Sequence, residues 1–181
     1  RHLTGKMVHS IRGSMGLLFH RNVSLIDVLL AKILLEVVGI LAAFFVAFIP
    51  LVLLGIVDPM PDPLLFAGGY FLQAWFAGAL GLIIAALSEL YEMTEQILPP
   101  FLYISLPLTG IFNMAAWLPQ RFREITLWSP LVNNIEMLRA GMFPGDMETY
   151  YYPMYTVWCS LALTAIGLPL AQYARRHVSF S

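Results

Sequence analysis

Four stretches without a charged side chain, each about twenty residues or longer, decide what this chain can fold into, because about that length of apolar helix crosses a hydrocarbon core. They run from Val37 to Val57, Pro63 to Ser88, Gln96 to Gln120 and Thr149 to Ala174. The first extends backward through Leu25 to Glu36, interrupted only by Asp27, Lys32 and Glu36. Asp58, Pro59, Pro61, Asp62 and Pro63 then read as a tight turn, so the first two spans form an antiparallel hairpin. The third stretch is the weakest as a continuous helix: Pro99, Pro100 and Pro107 each remove a backbone donor, which predicts a kink. The expected class is all-α integral membrane, with four transmembrane helices and an outer amphipathic or re-entrant helical segment.

Composition agrees. Apolar residues make up 59% and charged residues only 12%, with mean hydropathy +0.76, against roughly 25% charged in an ordinary soluble domain. A net charge of −1, from ten basic and eleven acidic groups, provides no broad attraction to phosphate and argues against a nucleic-acid partner. Cys159 is alone and closes no intrachain disulfide. Nothing repeats at a solenoid period and no low-complexity tract divides the chain, so residues 1–181 read as one membrane unit. A start at Arg1, without methionine or a signal-peptide pattern, reads as a fragment lacking its true beginning. Arg1, Lys6, Arg12 and Arg21 precede the first span and Arg175 and Arg176 follow the last, which places both ends in the cytoplasm. The Asp58–Asp62 turn and residues 115–148 are then outside, although Arg121, Arg123 and Arg139 in the latter run against the charge bias.

No phosphate-cradling GxxxxGK[ST] loop is present; the nearest string, Gly5-Lys6-Met7, lacks the hydroxyl that would bind magnesium. There is no HExxH pair and no GxSxG elbow, and the histidines are His2, His9, His20 and His177. The chain therefore offers no catalytic set, no metal-ligating set and no cofactor site of its own.

Polar residues inside the spans carry what chemistry remains. On the second span Ala67, Ala74, Gly78, Gly81 and Ala85 form a seam that lets another helix approach. Beside it Tyr70 and Gln73 share a face with Phe66 and Ala77; they serve either as interhelical hydrogen-bonding groups or as the lining of a path. Phe101, Ser105, Thr109 and Asn113 recur every four residues on the third span, and Thr156, Ser160 and Thr164 on the last, either bonding locally to backbone carbonyls or wetting the interior. Lys32 and Glu36 lie one turn apart near the inner end, as a snorkelling, mutually paired anchor or as a coupling group. Farther on, Ser129-Pro130 reads as an N-cap and first turn, with Leu131, Ile135, Leu138 and Met142 on one face. Asn133, Glu136 and Arg139 lie off that stripe, and Gly141, Pro144 and Gly145 end the element. With Trp117, Trp128, Phe122 and Ile125 nearby, this predicts an amphipathic helix in the outer interface, or a re-entrant return.

Two runs then resemble a known family, the permease subunits of ABC exporters for capsular polysaccharide, O-antigen and teichoic acid. Val23-Ser24-Leu25-Ile26-Asp27-Val28 followed by Ala31-Lys32-Ile33-Leu34-Leu35-Glu36 is similar to that family's entry into its third span. Thr109-Gly110-Ile111-Phe112, Leu118-Pro119, Trp128-Ser129-Pro130-Leu131-Val132, Glu136 and Arg139 resemble its pattern before the final span. Ser129 stands where the family commonly has asparagine, and Lys32 where it has arginine.

The resemblance implies that these are spans three to six of six, in a homodimer resting on separate ATPase subunits that hold ATP and magnesium. It implies a coupling helix at residues 10–22, where Ile11, Met15, Leu18 and Phe19 give an apolar stripe and Arg12, His20, Arg21 and Asn22 polar positions. A lipid-facing interfacial helix fits the same periodicity. The function expected is export of a lipid-linked polysaccharide across the bacterial cytoplasmic membrane. Tyr70, Gln73, Trp75, Tyr103 and Trp117 are candidates for the translocation path, and Pro130, Asn133, Glu136 and Arg139, within residues 115–148, for an outer gate. Rival readings are a permease for a drug or simple lipid, an ion-coupled carrier titrating Glu36, and a membrane assembly subunit.

Overall fold

The computed structural model describes residues 25–91, 93–143, 145 and 148–178. Ile11, Arg12, Met15, Leu18, Phe19, Arg21 and Asn22, the expected coupling segment, lie outside these residues. Among the described residues all regular structure is helical: α1 (Leu25–Leu53), α2 (Pro63–Leu90), α3 (Met93–Ile104), two short 3-10 turns (Leu106–Thr109 and Ala115–Trp117), α4 (Gln120–Leu127), α5 (Pro130–Met142) and α6 (Pro153–Val178).

The hairpin forms as its turn residues dictate. Leucine and valine carry α1 to Leu53, and Gly55, at φ +68°, supplies the left-handed residue that stops it. The Ile56 N–H then reaches the Leu51 carbonyl and the Gly55 N–H the Val52 carbonyl, satisfying two of the last carbonyls. Asp62 starts α2: its carboxylate accepts from the N–H groups of Leu64 and Leu65 at 3.1 and 3.0 Å, with Pro63 already set for the first turn. Phe44 of α1 stacks on Phe66 of α2 at 5.1 Å, the Tyr70 hydroxyl donates to the Val37 carbonyl, and Ile33 lies against Gly78. These contacts run in opposite order along the two helices, so the pair is antiparallel.

α2 is the axis of the bundle. Its contacts with α6 advance together, from Trp75 on Thr164, through Leu82 and Ile83 on Gly167, to a core of Leu82, Ala85, Ala86, Ala171 and Ala174. The two helices are therefore parallel, and small residues let their backbones close up where lipid supplies no hydrophobic drive. Of the seam expected on α2, Gly78, Gly81 and Ala85 are buried, while Ala67 and Ala74 are half-buried. With α1 antiparallel and α6 parallel to α2, the start of α1 and the end of α6 lie at the same end of the bundle.

The third apolar stretch differs from a continuous span. Three helices among the described residues have the length and apolarity to cross a membrane, within Leu30–Leu53, Pro63–Leu90 and Pro153–Ala174. The Gln96–Gln120 stretch instead gives a helix of 12 residues, a 3-10 turn, and Gly110 at φ +75°. Pro99 and Pro100 remove two consecutive donors inside α3, and the Ser105 and Thr109 hydroxyls bond back to the carbonyls of Leu102 and Leu106, so the four-residue stripe never becomes one helical face. At 1.5 and 2.0 Å per residue, α3 and its 3-10 turn together rise about 26 Å, against about 42 Å for the 28 residues of α2, which carries the chain back more than half of the way toward the start of α2.

There α5 crosses α2 at close quarters. A methyl carbon on Gly141 would lie 2.4 Å from the Phe66 nitrogen and 2.9 Å from the Asp62 carbonyl, and one on Gly69 would meet the Leu138 nitrogen at 3.0 Å. The helix thus runs through Gly141 to Met142 and does not stop at the glycine. Gly141→Ala is expected to destabilise the full-length protein by about 1–3 kcal/mol through overpacking against backbone. Gly145→Ala, with open space around it, should shift stability by no more than about 0.5 kcal/mol. Chemical unfolding of both variants in detergent checks this, and equal effects would contradict the close crossing.

Candidate functional site

The polar residues of α5 face inward. Val132, Asn133, Asn134, Glu136 and Gly141 are its buried positions, whereas Leu131, Ile135, Leu138 and Met142 are only half-buried. This reverses the interfacial helix expected from the sequence, in which the leucine stripe packs and Asn133, Glu136 and Arg139 stay outside it. Asn133, Asn134 and Glu136 each have a partner in a neighbouring element, although Asn134 Oδ1 and Glu136 Oε2 are buried without one, and those partners are what the sequence pattern does not contain.

Glu136 is fully buried. Its Oε1 accepts from the Arg139 guanidinium at 2.7 Å and from the Ala115 N–H at 3.2 Å, while Oε2 has no partner. Arg139 in turn donates through Nη2 to the carbonyls of Gly110 and Ile111, at 2.8 and 3.1 Å, and through Nη1 to that of Asn113 at 3.2 Å. One planar guanidinium thereby gathers the carbonyls of the irregular backbone between the two 3-10 turns, a geometry that a lysine point charge does not reproduce. Gly110 fits against Val132, where a methyl carbon would come within 3.1 Å.

Asn133 closes the other side. Its amide donates to the Leu127 and Ser129 carbonyls and its carbonyl accepts from the Tyr152 N–H at 2.7 Å, so one side chain joins the end of α4, the start of α5 and the approach to α6. Ser129 contributes only its backbone carbonyl to this junction; its side chain makes no cap bond. The Tyr155 hydroxyl donates to the Trp128 carbonyl at 2.8 Å. Arg123 of α4 lies 4.3 Å over the Tyr150 ring, and the Tyr150 hydroxyl donates to Glu148, whose acceptance of that bond raises the Tyr150 pKa above the ordinary phenol value.

The path candidates divide. Gln73 accepts from the Asn134 amide of α5 at 3.1 Å, Trp75 donates to Thr164 of α6 at 3.1 Å, and Tyr70 is tied to α1, so these three join helices. Tyr103 on α3 and Trp117 in the second 3-10 turn are exposed. Lys32 and Glu36 are half-buried on α1 and both are engaged by neighbouring groups. Pro130 opens α5, half-buried. On α6 Thr164 bonds the Ser160 carbonyl, while the hydroxyls of Thr156 and Ser160 are buried without a partner. Gly69, Gly141 and the Gln73–Asn134 pair do not emerge from the sequence reading as contacts to α5; a glycine inside a helical pattern is the one signal that marks them.

Residues 7–143 match the ABC-2 type transporter family. The chain is 34% identical over 170 residues to the capsule polysaccharide export inner-membrane protein CtrC of Neisseria meningitidis, covering 94% of this chain and 64% of that protein. It is 34% identical over 172 residues to the capsule polysaccharide export inner-membrane protein BexB of Haemophilus influenzae, covering 95% and 65%. To the polysialic acid transport protein KpsM of Escherichia coli it is 23% identical over 172 residues, covering 93% and 65%. It thus spans just under two thirds of the length of these curated relatives. Three apolar helices, a broken third stretch between the second and the last of them, and a buried polar crossing stand on a sequence that matches one family over most of its length: the chain belongs to the ABC-2 type transporter family.

Proposed function

We propose that this chain is part of the membrane-spanning subunit of an ATP-driven exporter that moves a lipid-linked polysaccharide outward across the bacterial inner membrane. The observation that carries this reading is the 34% identity to a capsule polysaccharide export protein, sustained along 94% of the chain. In this reading the subunit is a homodimer, the ATPase is a separate polypeptide holding ATP and magnesium, and residues 10–22 dock on it. The common end of α1 and α6 is then cytoplasmic, in keeping with the basic residues before α1 and at Arg175 and Arg176.

The geometry supports a particular way of opening. α5 is locked to α2 at Gly69 and Gly141 and through Gln73–Asn134, and to the broken third stretch through Glu136 and Arg139. Residues 115–148 therefore act as an outer gate that moves together with α2 and α6, and not as a flap hinged by itself. ATP-driven closure of the partner subunits would shift whole protomers apart and open a route between them.

Glu136→Ala and Arg139→Ala should each cost about 3–5 kcal/mol by stranding the remaining buried charge, and abolish surface polysaccharide in cells carrying the full-length protein. Arg139→Lys should restore the charge but not the three-carbonyl grip, leaving export impaired. Glycan immunoblots measure export, and co-purification of the ATPase should be unchanged for Arg139→Lys; loss of assembly instead would remove the gate assignment. Gln73→Leu and Asn134→Leu each leave one buried amide unpaired, at about 1–2 kcal/mol, whereas the double substitution should recover most of that stability. A double variant that is stable yet fails to export would place Gln73 on the path after all.

A further inference from the structure

Two of the three hydroxyls that recur along α6 are fully buried and bond to no protein group. Thr156 and Ser160 have no exposed surface, and Asn134 of α5 has almost none. Thr156 Oγ1, Ser160 Oγ and Asn134 Oδ1 all lack a hydrogen-bond partner. Thr164, one turn farther along α6, donates to the Ser160 carbonyl and accepts from the Trp75 indole. Thr156 and Ser160 make no such bond to the carbonyl four residues back, so their hydroxyls are not spent within their own helix. Polar atoms left unpaired in an apolar interior are costly, and native structures pair them with protein or with ordered water.

These three atoms belong to one junction. Thr156 and Ser160 lie on the stripe of α6 that continues through Gly167, Ala171 and Ala174, the stripe packed on α2. Counting back along the two parallel helices from the Trp75–Thr164 bond, one turn sets Ser160 level with Phe71 and a second sets Thr156 level with Ala67. Asn134 meets α2 in the same interval. Its backbone carbonyl lies 3.3 Å from where a methyl carbon on Gly69 would be, and its side-chain amide donates to Gln73. From α5, Met137 reaches round to Gly68, where its Cε would come within 2.9 Å of a methyl carbon. On the side of α6, Asn133 accepts from the Tyr152 N–H at 2.7 Å, and Thr156 is one turn beyond Tyr152. Three helices therefore converge where the three unpaired atoms lie, and their burial is produced by this chain alone.

We propose that the junction of α2, α5 and α6 is a bound-water site, in which water donates to Asn134 Oδ1 and hydrogen-bonds the Thr156 and Ser160 hydroxyls. A buried water typically joins about three polar groups that would otherwise be unsatisfied, and ordered water is one of the ways polar groups within transmembrane helices are satisfied. Exchanging the two ends of both amides keeps the Gln73–Asn134 bond and turns a donor into the site in place of Oδ1; water serves either. A cation fits less well. The three groups carry no charge, and the buried carboxylate of α5, Glu136, is paired with Arg139 and turned to the Ala115 N–H. α5 is thus tied to α2 directly and to α6 through water as well as through Asn133, which gathers the three helices on one polar node. The site follows from burial and pairing and does not rest on the export reading.

The test uses the full-length protein and has two arms. In lipid bilayers, solid-state NMR with polarisation transferred from water should reach the Thr156 side chain, its signal assigned by its loss in Thr156→Val, at mixing times that leave Ala171 and Ala174 dark. In detergent, chemical unfolding compares Thr156→Val in two backgrounds. Valine keeps the shape and removes the hydroxyl, so the folding equilibrium constant should fall about tenfold in the otherwise unmodified protein. In the Gln73→Leu, Asn134→Leu double variant, where the site has already lost its amide, the fall should be less than about threefold. A Thr156 signal as dark as Ala171 overturns the inference whatever the unfolding shows, because a direct Thr156–Asn134 bond would couple the two without water. Thr156→Val as stable as the unmodified protein, or more so, also overturns it, since valine then only repairs an unpaired hydroxyl. An equal loss in both backgrounds does the same, by assigning the hydroxyl to a bond within α6.

Discussion

Backbone polarity inside an apolar slab is the constraint on which this fold turns. A transmembrane helix satisfies its own N–H and C=O groups, but a stretch carrying Pro99, Pro100 and Pro107 does not. The chain ends α3 at Ile104, and the carbonyls of Gly110, Ile111 and Asn113 in the non-helical backbone that follows go to a single guanidinium on another helix. Arg139 in turn requires Glu136 to balance its charge, and Glu136 binds the Ala115 N–H on the far side of the same loop. The inverted orientation of α5 follows: a helix that carries this pair has to turn it toward the broken backbone, whatever its leucines would otherwise cover.

Glycines set where that helix can sit. Gly69 and Gly141 bring the backbones of α2 and α5 into contact, so the polar pair reaches the loop without lengthening any side chain. A different logic holds α2 and α6, where four alanines, Leu82 and Gly167 make a mostly apolar seam between parallel helices. Among the described residues α1 is attached more lightly, through the Phe44–Phe66 stack, the Tyr70 hydroxyl, and Ile33, which packs on Gly78 and on the α2–α6 core. The unit best suited to move as a body is therefore α2, α5 and α6 with the loop they grip, and α1 is the element most free to shift against it.

Much of this is readable from the residues. Asp62-Pro63 starts a helix where it should, Gly78, Gly81 and Ala85 lie in a seam, and three of the four uncharged stretches are long helices. Glu136 and Arg139 stand out for their spacing, and their neighbours Thr109-Gly110-Ile111-Phe112 for their resemblance to a family pattern. What the pattern misses is direction. Periodicity places Asn133, Glu136 and Arg139 off the apolar stripe, but in a membrane the side away from the stripe is not necessarily water. Their partners are backbone groups of Leu127, Tyr152, Gly110 and Ala115, and no side-chain pattern announces a carbonyl.

The sequence by itself therefore determined the membrane class, the hairpin, the absence of a nucleotide-binding loop and the family, because each depends on hydropathy, turn chemistry or local spacing. Only the tertiary structure decided that the third stretch is broken, that α2 and α6 run parallel, and that the polar side of α5 is its buried side. Those outcomes depend on which distant groups satisfy one another's hydrogen bonds, and that pairing exists only once the chain has been brought back across α2.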